Sequence, residues 1–222
     1  MNFLKKTRFL LLIFAVLFSA CSYPPLNAES GESFSDYTYL IGSGDRVNIF
    51  VWDNPDVSIS VVVRPDGKIT VPLAEEILVS GKTPFQVARK LEDVYKVFIQ
   101  EPKIVVMVSE FQGIDAQQIR IIGQIGNESS EENNGGGSIK RTSRYRGKTI
   151  PYERGMTLLD VFIRIGSVSE FADGNRATII RKVNGVQKKY SVKIDSLVED
   201  GDLSENVAML PGDILVIPEA FF

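Results

Sequence analysis

The chain has 222 residues, of which 44% are hydrophobic and 24% charged, and its formal net charge is -3. These values are ordinary for a folded protein of one large or two small domains. The chain has one cysteine and no histidine, which excludes an internal disulfide, Ser-His-Asp and Cys-His catalysis, and zinc sites built on histidine. The mild acidity argues against a nucleic-acid partner. We expect no cofactor, no metal site and no enzymatic activity.

Residues 1–20 have the pattern of a bacterial signal peptide, because basic residues precede a short apolar run. That run, over residues 9–20, is shorter than the about 20 apolar residues that a membrane-spanning helix needs. The pair Ser19-Ala20 before Cys21 resembles the lipobox of bacterial lipoproteins, in which the cysteine is acylated. The alternative is an ordinary signal peptide with an incidental cysteine. Residues 21–38 are rich in Ser, Pro and Glu and predict a lipidated tether.

The first folded region is predicted to begin at Tyr39, and its opening segment contains Gly42-Ser43-Gly44-Asp45. A phosphate-binding loop would need the lysine and spacing of a P-loop, and a helix rather than a strand would follow, so we predict a structural turn. Strands are predicted at residues 47–52, 58–64 and 69–73. The last two are predicted to form a hairpin across Pro65-Asp66-Gly67-Lys68, where glycine adopts a positive φ without a Cβ clash.

A helix is predicted after Thr83, an N-cap residue whose capping box Gln86 completes. A strand at residues 103–110 follows. Trp52 and Tyr95 are candidates for stacking on sugar rings, but we predict that both pack in the core. The spacing of apolar residues predicts one buried helix face. Its members are Phe85, Ala88, Leu91, Tyr95 and Phe98.

The second folded region begins with a strand predicted at residues 119–125 and is then interrupted by residues 127–148. The first part of this interruption is rich in Ser, Glu, Asn and Gly and predicts a flexible loop. Residues 140–148 are basic, for which we favour a solvated loop. The alternative is contact with an anionic polymer or with lipid headgroups.

A helix is predicted from Thr157 to Gly166, with Asp160 as the capping partner of Thr157. Strands at residues 177–183 and 187–194 are predicted to pair across the hairpin turn Asn184-Gly185. A final strand at residues 214–217 follows the turn Pro211-Gly212-Asp213. Each region therefore combines a small sheet with one helix, and the predicted fold class is α+β.

In this order, the segments resemble the bacterial polysaccharide export family of outer-membrane lipoproteins. The second region is similar to a soluble-ligand-binding β-grasp (SLBB) domain. The resemblance assigns residues 39–112 to a small mixed-sheet polysaccharide export domain and residues 117–218 to the SLBB domain, with the flexible insertion at 127–148. The residues that carry it, read as structural motif residues, are Gly42, Gly44, Asp45, Trp52, Pro65, Asp66 and Gly67 in the first domain and Gly123, Pro211, Gly212 and Asp213 in the second.

The resemblance implies a lipoprotein of a Gram-negative outer membrane that faces the periplasm. Its implied partners are an exopolysaccharide or capsule polymer, an inner-membrane co-polymerase or chain-length regulator, and further copies of itself in a ring through which the polymer passes without chemistry. Capsule exporters of this family also carry further β-grasp repeats and a C-terminal pore helix. Since no such segment follows Pro218 in the sequence, we expect the lipid on Cys21 to be the principal membrane attachment.

Two other functions remain open. One is a monomeric periplasmic module that binds a saccharide. The other is an enzyme acting on the glycan, for which Glu75-Glu76 and Glu131-Glu132 are the candidate carboxylate pairs. We disfavour the enzyme, because adjacent residues on a strand point to opposite faces and no partner carboxylate is placed opposite.

Overall fold

The computed structural model describes residues 23–26, 37–126 and 146–220. Two hydrophobic cores are formed, one by residues 41–106 and the other by residues 119–217 together with Leu26. Helices and mixed sheets occur in both regions, which confirms the predicted α+β class. Within the described residues, no helix combines the length and the hydrophobicity needed to cross a membrane. The predicted signal peptide and Cys21 lie outside the described residues.

The first core is covered by a three-stranded antiparallel sheet. Strand β1 (Arg46–Val51) lies in the middle, between β2 (Ile59–Val62) and the strand that we label β5 (Ile104–Glu110). Every second side chain of β1 is buried, because successive side chains of a strand point to opposite faces. The buried members are Val47, Ile49 and Val51.

The hairpin predicted between residues 58–64 and 69–73 is wrong in its pairing. Strand β2 pairs with β1, whereas β3 (Lys68–Val71) pairs with β4 (Glu75–Leu78) in a separate two-stranded sheet. The turn itself forms, since Gly67 has a φ of +75° and its N–H donates to the Arg64 carbonyl at 2.9 Å. The two segments stay in contact next to the turn, where the Arg64 N–H donates to the Lys68 carbonyl at 2.9 Å, but from Lys68 onward β3 forms its ladder with β4.

Helix α1 (Pro84–Tyr95) packs on this sheet, and its predicted capping box forms between Thr83 and Gln86. Its predicted apolar face is partly wrong: Phe85 is 70% exposed, and Phe98 lies beyond the helix and is also exposed. The Arg89 guanidinium lies over the Phe85 ring, 5.2 Å from its centroid, on the outer side of the helix. The buried face is formed by Val87, Ala88, Leu91 and Tyr95.

The second core lies under a five-stranded mixed sheet. Its strands are β6 (Gln118–Gly123), β7 (Arg146–Pro151), β8 (Ala177–Val183), β9 (Val186–Val192) and β10 (Ile214–Ile217). The order across the sheet is β7-β6-β10-β8-β9, with β6 and β10 parallel and every other pair antiparallel. The first and last strands of this region are therefore neighbours near the middle of the sheet.

Helix α2 (Leu158–Ile165) covers this sheet and has the predicted ends. Thr157 and Asp160 form the capping box, and the helix stops at Gly166, whose φ is +91°. The predicted hairpin turn Asn184-Gly185 also forms, with positive φ at both residues. A short helix that was not predicted, α3 (Ile194–Val198), follows β9.

Strand β7 was not predicted. It begins at Arg146, so residues 146–148, the end of the predicted insertion, are strand. The remainder of that insertion, residues 127–145, lies outside the described residues. The strand escaped prediction because its first residues are basic and exposed and only Ile150 is buried.

Residues 23–26 contact the second sheet, although they fall within the predicted tether of residues 21–38. Ser191 on β9 donates its N–H to the Pro24 carbonyl at 2.9 Å, and its carbonyl accepts the Leu26 N–H at 3.2 Å. Leu26 is only 6% exposed and belongs to the second core. This segment therefore extends the sheet at the β9 edge.

Candidate functional site

Asp45 is a fully buried carboxylate at the start of β1 that accepts four hydrogen bonds. The Gly42 N–H and the Tyr39 hydroxyl donate to Oδ2, at 2.9 and 2.5 Å. The N–H groups of Gln112 and Gly113 donate to Oδ1, at 2.7 and 3.0 Å. Burial and the contact with Asp45 raise the pKa of Tyr39. Asp45 thus joins the segment that enters the first core to the segment that leaves it.

Asp213 has an equivalent position at the start of β10, where it is buried against Arg181. Arg181 donates Nε–H to Oδ1 at 2.9 Å and Nη2–H to Oδ2 at 2.7 Å. The Leu210 N–H also donates to Oδ2, at 2.8 Å, and the guanidinium reaches the Ala208 carbonyl at 2.9 Å. Burial raises the pKa of Asp213, and the hydrogen bonds and charge of Arg181 oppose that rise.

The two aspartates lie in two separate turns of the same type. Each follows a glycine of positive φ, +92° at Gly44 and +85° at Gly212. The side chain of each also accepts the N–H of the residue three positions earlier. Each aspartate also donates its own N–H back to the carbonyl of that residue, at 3.3 Å from Asp45 to Gly42 and at 3.1 Å from Asp213 to Leu210. In the structure these motif residues start strands and close turns through backbone and side-chain hydrogen bonds.

Gly42 and Gly123 are required where two backbones approach closely. A Cβ at Gly42 would lie 1.7 Å from the Gly113 carbonyl oxygen, and one at Gly123 would lie 1.9 Å from that of Ile217. Real Cβ atoms do not approach backbone oxygen at such distances. Both glycines are thus needed for packing of the chain on itself.

The predicted turn Pro65-Asp66-Gly67 is an exposed cluster of charges. Arg64 bonds Asp66 at 2.8 Å and also bonds Glu76, while Lys68 bonds Glu76 at 2.8 Å. Hydrogen bonds from Lys68 and Arg64 lower the pKa of Glu76 to about 2. Glu76 is thereby held ionised beside two cations, so it links β4 to Lys68 on β3 and to Arg64 at the turn and is not suited to act as a general acid.

Trp52 is exposed, which makes its predicted place in the core wrong. Its side chain is 61% exposed and meets the half-exposed ring of Phe50 edge-on, with 6.3 Å between the centroids. Ile49 and Val51 fill the core, so the alternation of β1 leaves Phe50 and Trp52 on the outer face. Tyr95 is buried as predicted, and its hydroxyl donates to the Pro72 carbonyl at 2.7 Å.

A cleft of about 690 Å³ lies beside these two rings, and we call it the Trp52 cleft. The backbone N–H of Trp52 donates to the backbone carbonyl of Lys103 at 2.9 Å, and this hydrogen bond holds the two walls of the cleft together. Asp53 and Glu101, which line the cleft, both have positive φ, a conformation that L-residues adopt only when the surroundings enforce it. The side chains that carry its chemistry are Phe50, Trp52, Asn54, Gln100, Glu101 and Lys103.

This combination of side chains suits a carbohydrate. An exposed indole offers an apolar face and a polar N–H, and the flat C–H face of a pyranose ring can stack on it. The amides of Asn54 and Gln100 both donate and accept, the Glu101 carboxylate accepts, and the Lys103 ammonium donates, which matches a ring of hydroxyl groups. Sequence reasoning missed Phe50 and Lys103, although the alternation of β1 was a signal for Phe50.

The motif residues that the structure describes are not gathered into one site. Asp45 with Gly42 and Gly44 lies at the edge of the first core, and Asp213 with Pro211 and Gly212 lies in the second. Among these motif residues, Trp52 lines the cleft, whereas the others build turns and close contacts. Arg181, the partner of Asp213, was missed because it comes from a strand 32 residues away in sequence.

Comparison with known proteins gives a family match for the first folded region. A family model described as polysaccharide biosynthesis/export protein matches residues 34–109. The EPS I polysaccharide export outer membrane protein EpsA of Ralstonia nicotianae is 24% identical over 217 residues, which cover 87% of this chain and 51% of that protein. The chain thus spans about half the length of this curated relative. The matched segment includes the whole first core and the Trp52 cleft, so the similarity to the polysaccharide biosynthesis/export family covers the first folded region.

Proposed function

We propose that this protein is an outer-membrane lipoprotein component of an exopolysaccharide export apparatus, through which the polymer moves without any bond being broken. The observation that carries the proposal is the export-family domain at residues 34–109, with an exposed aromatic cleft on its outer sheet face. An inner-membrane chain-length regulator delivers the polymer, and further copies of the chain form a closed head-to-tail ring around it.

The second core serves in this proposal as an SLBB domain of the β-grasp type. A helix over a mixed sheet, with the first and last strands parallel and adjacent, supports that assignment. The turn at Gly212-Asp213 and the close contact at Gly123 are the structural roles expected of its motif residues. Removal of the gene should abolish surface polysaccharide while polymer synthesis continues, and unchanged surface polysaccharide would overturn the proposal.

Replacement of Cys21 by Ser should release the protein from the membrane, because the acyl chains are its anchor in this proposal. Each buried methylene contributes about 0.8 kcal/mol, so loss of the chains should lower the membrane-bound fraction by at least about tenfold. Membrane fractionation and mass determination of the mature protein measure the effect. Ser22→Ala is the matched control and should remain attached. Attachment of the Cys21→Ser protein would show that another element holds it.

Replacement of Trp52 by Ala should weaken binding of fragments of the exported polymer by about 5- to 15-fold, the equivalent of about 1–1.5 kcal/mol for a lost aromatic contact. Since Trp52 is 61% exposed, the free energy of unfolding should change by less than about 1 kcal/mol. Trp52→Phe keeps a ring and should retain most of the affinity. Calorimetric titration of the three proteins measures these differences.

Trp52 is also its own reporter, because it is the one tryptophan of the chain. Its fluorescence should change on addition of polymer fragments and stay constant with an unrelated glycan. If the fluorescence does not change and Trp52→Ala binds as tightly as wild type, the Trp52 cleft is not a saccharide site.

The cleft is also compatible with a second candidate function, a monomeric saccharide-binding module in the periplasm. The two differ in assembly and not in the cleft. Size determination of the full acylated chain in detergent separates them, since a stable ring excludes the monomeric module and a monomer at micromolar concentration excludes the ring.

A further inference from the structure

A second cleft, of about 620 Å³, lies on the face of the second sheet that points away from the core. Alternation along β8, β9 and β10 places Thr178, Ser191 and Val216 on this outer face, while their neighbours Ile179, Val192 and Ile217 are buried. We call it the cationic cleft. The charged and aromatic side chains that line it are Arg176, Lys189, Lys193 and Tyr23.

The cationic cleft is positively charged in a chain whose net charge is negative. Three cations line it, and among its described lining residues none is acidic. Lys193 is bonded to Glu205 at 2.8 Å and Arg176 is 3.4 Å from Asp173, but both of these carboxylates lie outside the lining. The Lys189 ammonium lies over the Tyr23 ring, 5.3 Å from its centroid. An anionic group is therefore the ligand that this lining fits.

The cationic cleft lies close to Cys21 along the chain, because Tyr23 is one of its lining residues. The inference that the cleft is near the membrane rests on the acylation of Cys21 in the proposed function. Tyr23 is two residues after Cys21, and two extended residues span at most about 7 Å. The hydrogen bonds between Ser191 and the segment that contains Pro24 and Leu26 fix the position of this segment on β9. The headgroup layer on each side of a bilayer is about 5–8 Å thick. A residue so close to an acylated cysteine lies at headgroup depth.

We propose that the cationic cleft binds the phosphate of an anionic phospholipid in the leaflet that holds the Cys21 acyl chains. The contact sets the β9 edge of the second sheet against the membrane. A basic side chain near an anionic surface contributes about 1 kcal/mol. Because Arg176 and Lys193 are also paired with Asp173 and Glu205, the three side chains should favour the seated orientation by a factor between about 5 and about 100. Tyr23 is suited to this depth, because tyrosine is enriched at membrane–water interfaces.

The test uses the full acylated protein reconstituted into vesicles of phosphatidylethanolamine, with or without 30% phosphatidylglycerol. Gln187→Cys places one labelling site on the exposed outer face of β9, since acylation consumes the native thiol. A fluorophore there is quenched by lipids that carry a nitroxide on the headgroup. We expect quenching in phosphatidylglycerol vesicles to fall at least threefold when Arg176→Gln and Lys189→Gln are combined. It should fall similarly in 0.5 M salt.

The matched control removes two positive charges elsewhere. Lys90→Gln with Lys96→Gln alters two exposed lysines at the first core and should leave quenching unchanged. Equal quenching in the cleft variant and in wild type would overturn the inference. So would equal quenching in vesicles with and without phosphatidylglycerol, because the contact would then not depend on an anionic lipid. If the protein does not float with any vesicle, acylation and with it the proposed function fails.

Discussion

Replacement of Asp45 by Ala should lower the free energy of unfolding of the first core by about 3–5 kcal/mol, because buried donors left without an acceptor cost about 1–3 kcal/mol each and do not add fully. Four donors depend on this carboxylate, three of them backbone N–H groups. Urea unfolding of the mature protein, followed by circular dichroism, measures the loss.

A second variant at Asp45 and a control at Asp66 test the role of the buried carboxylate. Asp45→Asn keeps one acceptor oxygen and should lose about half as much stability as Asp45→Ala. Asp66→Ala removes an exposed turn carboxylate and should cost less than about 0.5 kcal/mol. Hydrogen exchange at Gln112 and Gly113 should accelerate in Asp45→Ala. A loss below 1 kcal/mol with unchanged exchange would show that the hydrogen bonds to Asp45 contribute little.

Features that depend on neighbours in the sequence were predicted well. The ends of α2 follow from the capping box of Thr157 with Asp160 and from Gly166, all within one helix. The turns at Gly44, Gly67, Gly185 and Gly212 follow from the freedom of glycine to take positive φ. The start of α1 was also predicted from nearby residues, because Thr83 and Gln86 form its capping box. In each case the residues that decide the geometry lie within a few positions of one another.

Features that depend on distant partners were not predicted. The sequence pattern marked Asp45 as a turn residue, but its donors at Gln112 and Gly113 are 67 and 68 positions away. The same limit explains the pairing of β2 with β1 instead of β3, since an apolar strand fits either partner. Strand β4 was missed because its first two residues are glutamates and Ile77 is its one buried residue.

The candidate site illustrates the same division. Alternation along β1 predicts that Phe50 and Trp52 lie on the same face of the sheet. Which face meets the core depends on where α1 and β5 pack, and that is not visible in the sequence of β1. Tryptophan is often buried, so composition favoured the wrong face. The second wall of the Trp52 cleft comes from residues 99–105, on the far side of α1 in sequence. An exposed aromatic on a sheet face is the type of feature that sequence reasoning alone assigns to the core.

The two folded regions pair the backbone groups at the start of a strand in the same way. A strand that begins in the interior of a protein leaves polar backbone groups at its start, and these must be paired. Asp45 and Asp213 each accept the N–H that the preceding turn exposes, at 2.9 and 2.8 Å. They differ in the rest of their partners: Asp45 is surrounded by neutral donors, whereas Asp213 faces a guanidinium. Charge neutralisation should therefore matter at Asp213 and hydrogen bonding at Asp45.

Replacement of Arg181 by Met should lower the free energy of unfolding of the second core by about 3–5 kcal/mol at pH 7, because it leaves the Asp213 carboxylate buried without its cation. In that variant burial is left as the main influence on the pKa of Asp213, and it raises that pKa. An aspartate with a raised folded-state pKa is least destabilising in its protonated form. The deficit relative to wild type should therefore shrink as the pH falls from 7 towards the unfolded-state pKa of about 3.9.

The double variant Arg181→Met with Asp213→Asn removes the stranded charge and keeps an acceptor for the Leu210 N–H. It should recover about 2 kcal/mol of the loss at pH 7, with little further dependence on pH. Urea unfolding of wild type and both variants at pH 7 and pH 5 provides the comparison. If Arg181→Met were equally destabilised at both pH values and the double variant were no more stable, Arg181 would act through packing of its stem and its bond to Ala208. If instead stability is recovered in the double variant at pH 7, and in Arg181→Met when the pH is lowered, the role of Arg181 is to neutralise the charge of Asp213.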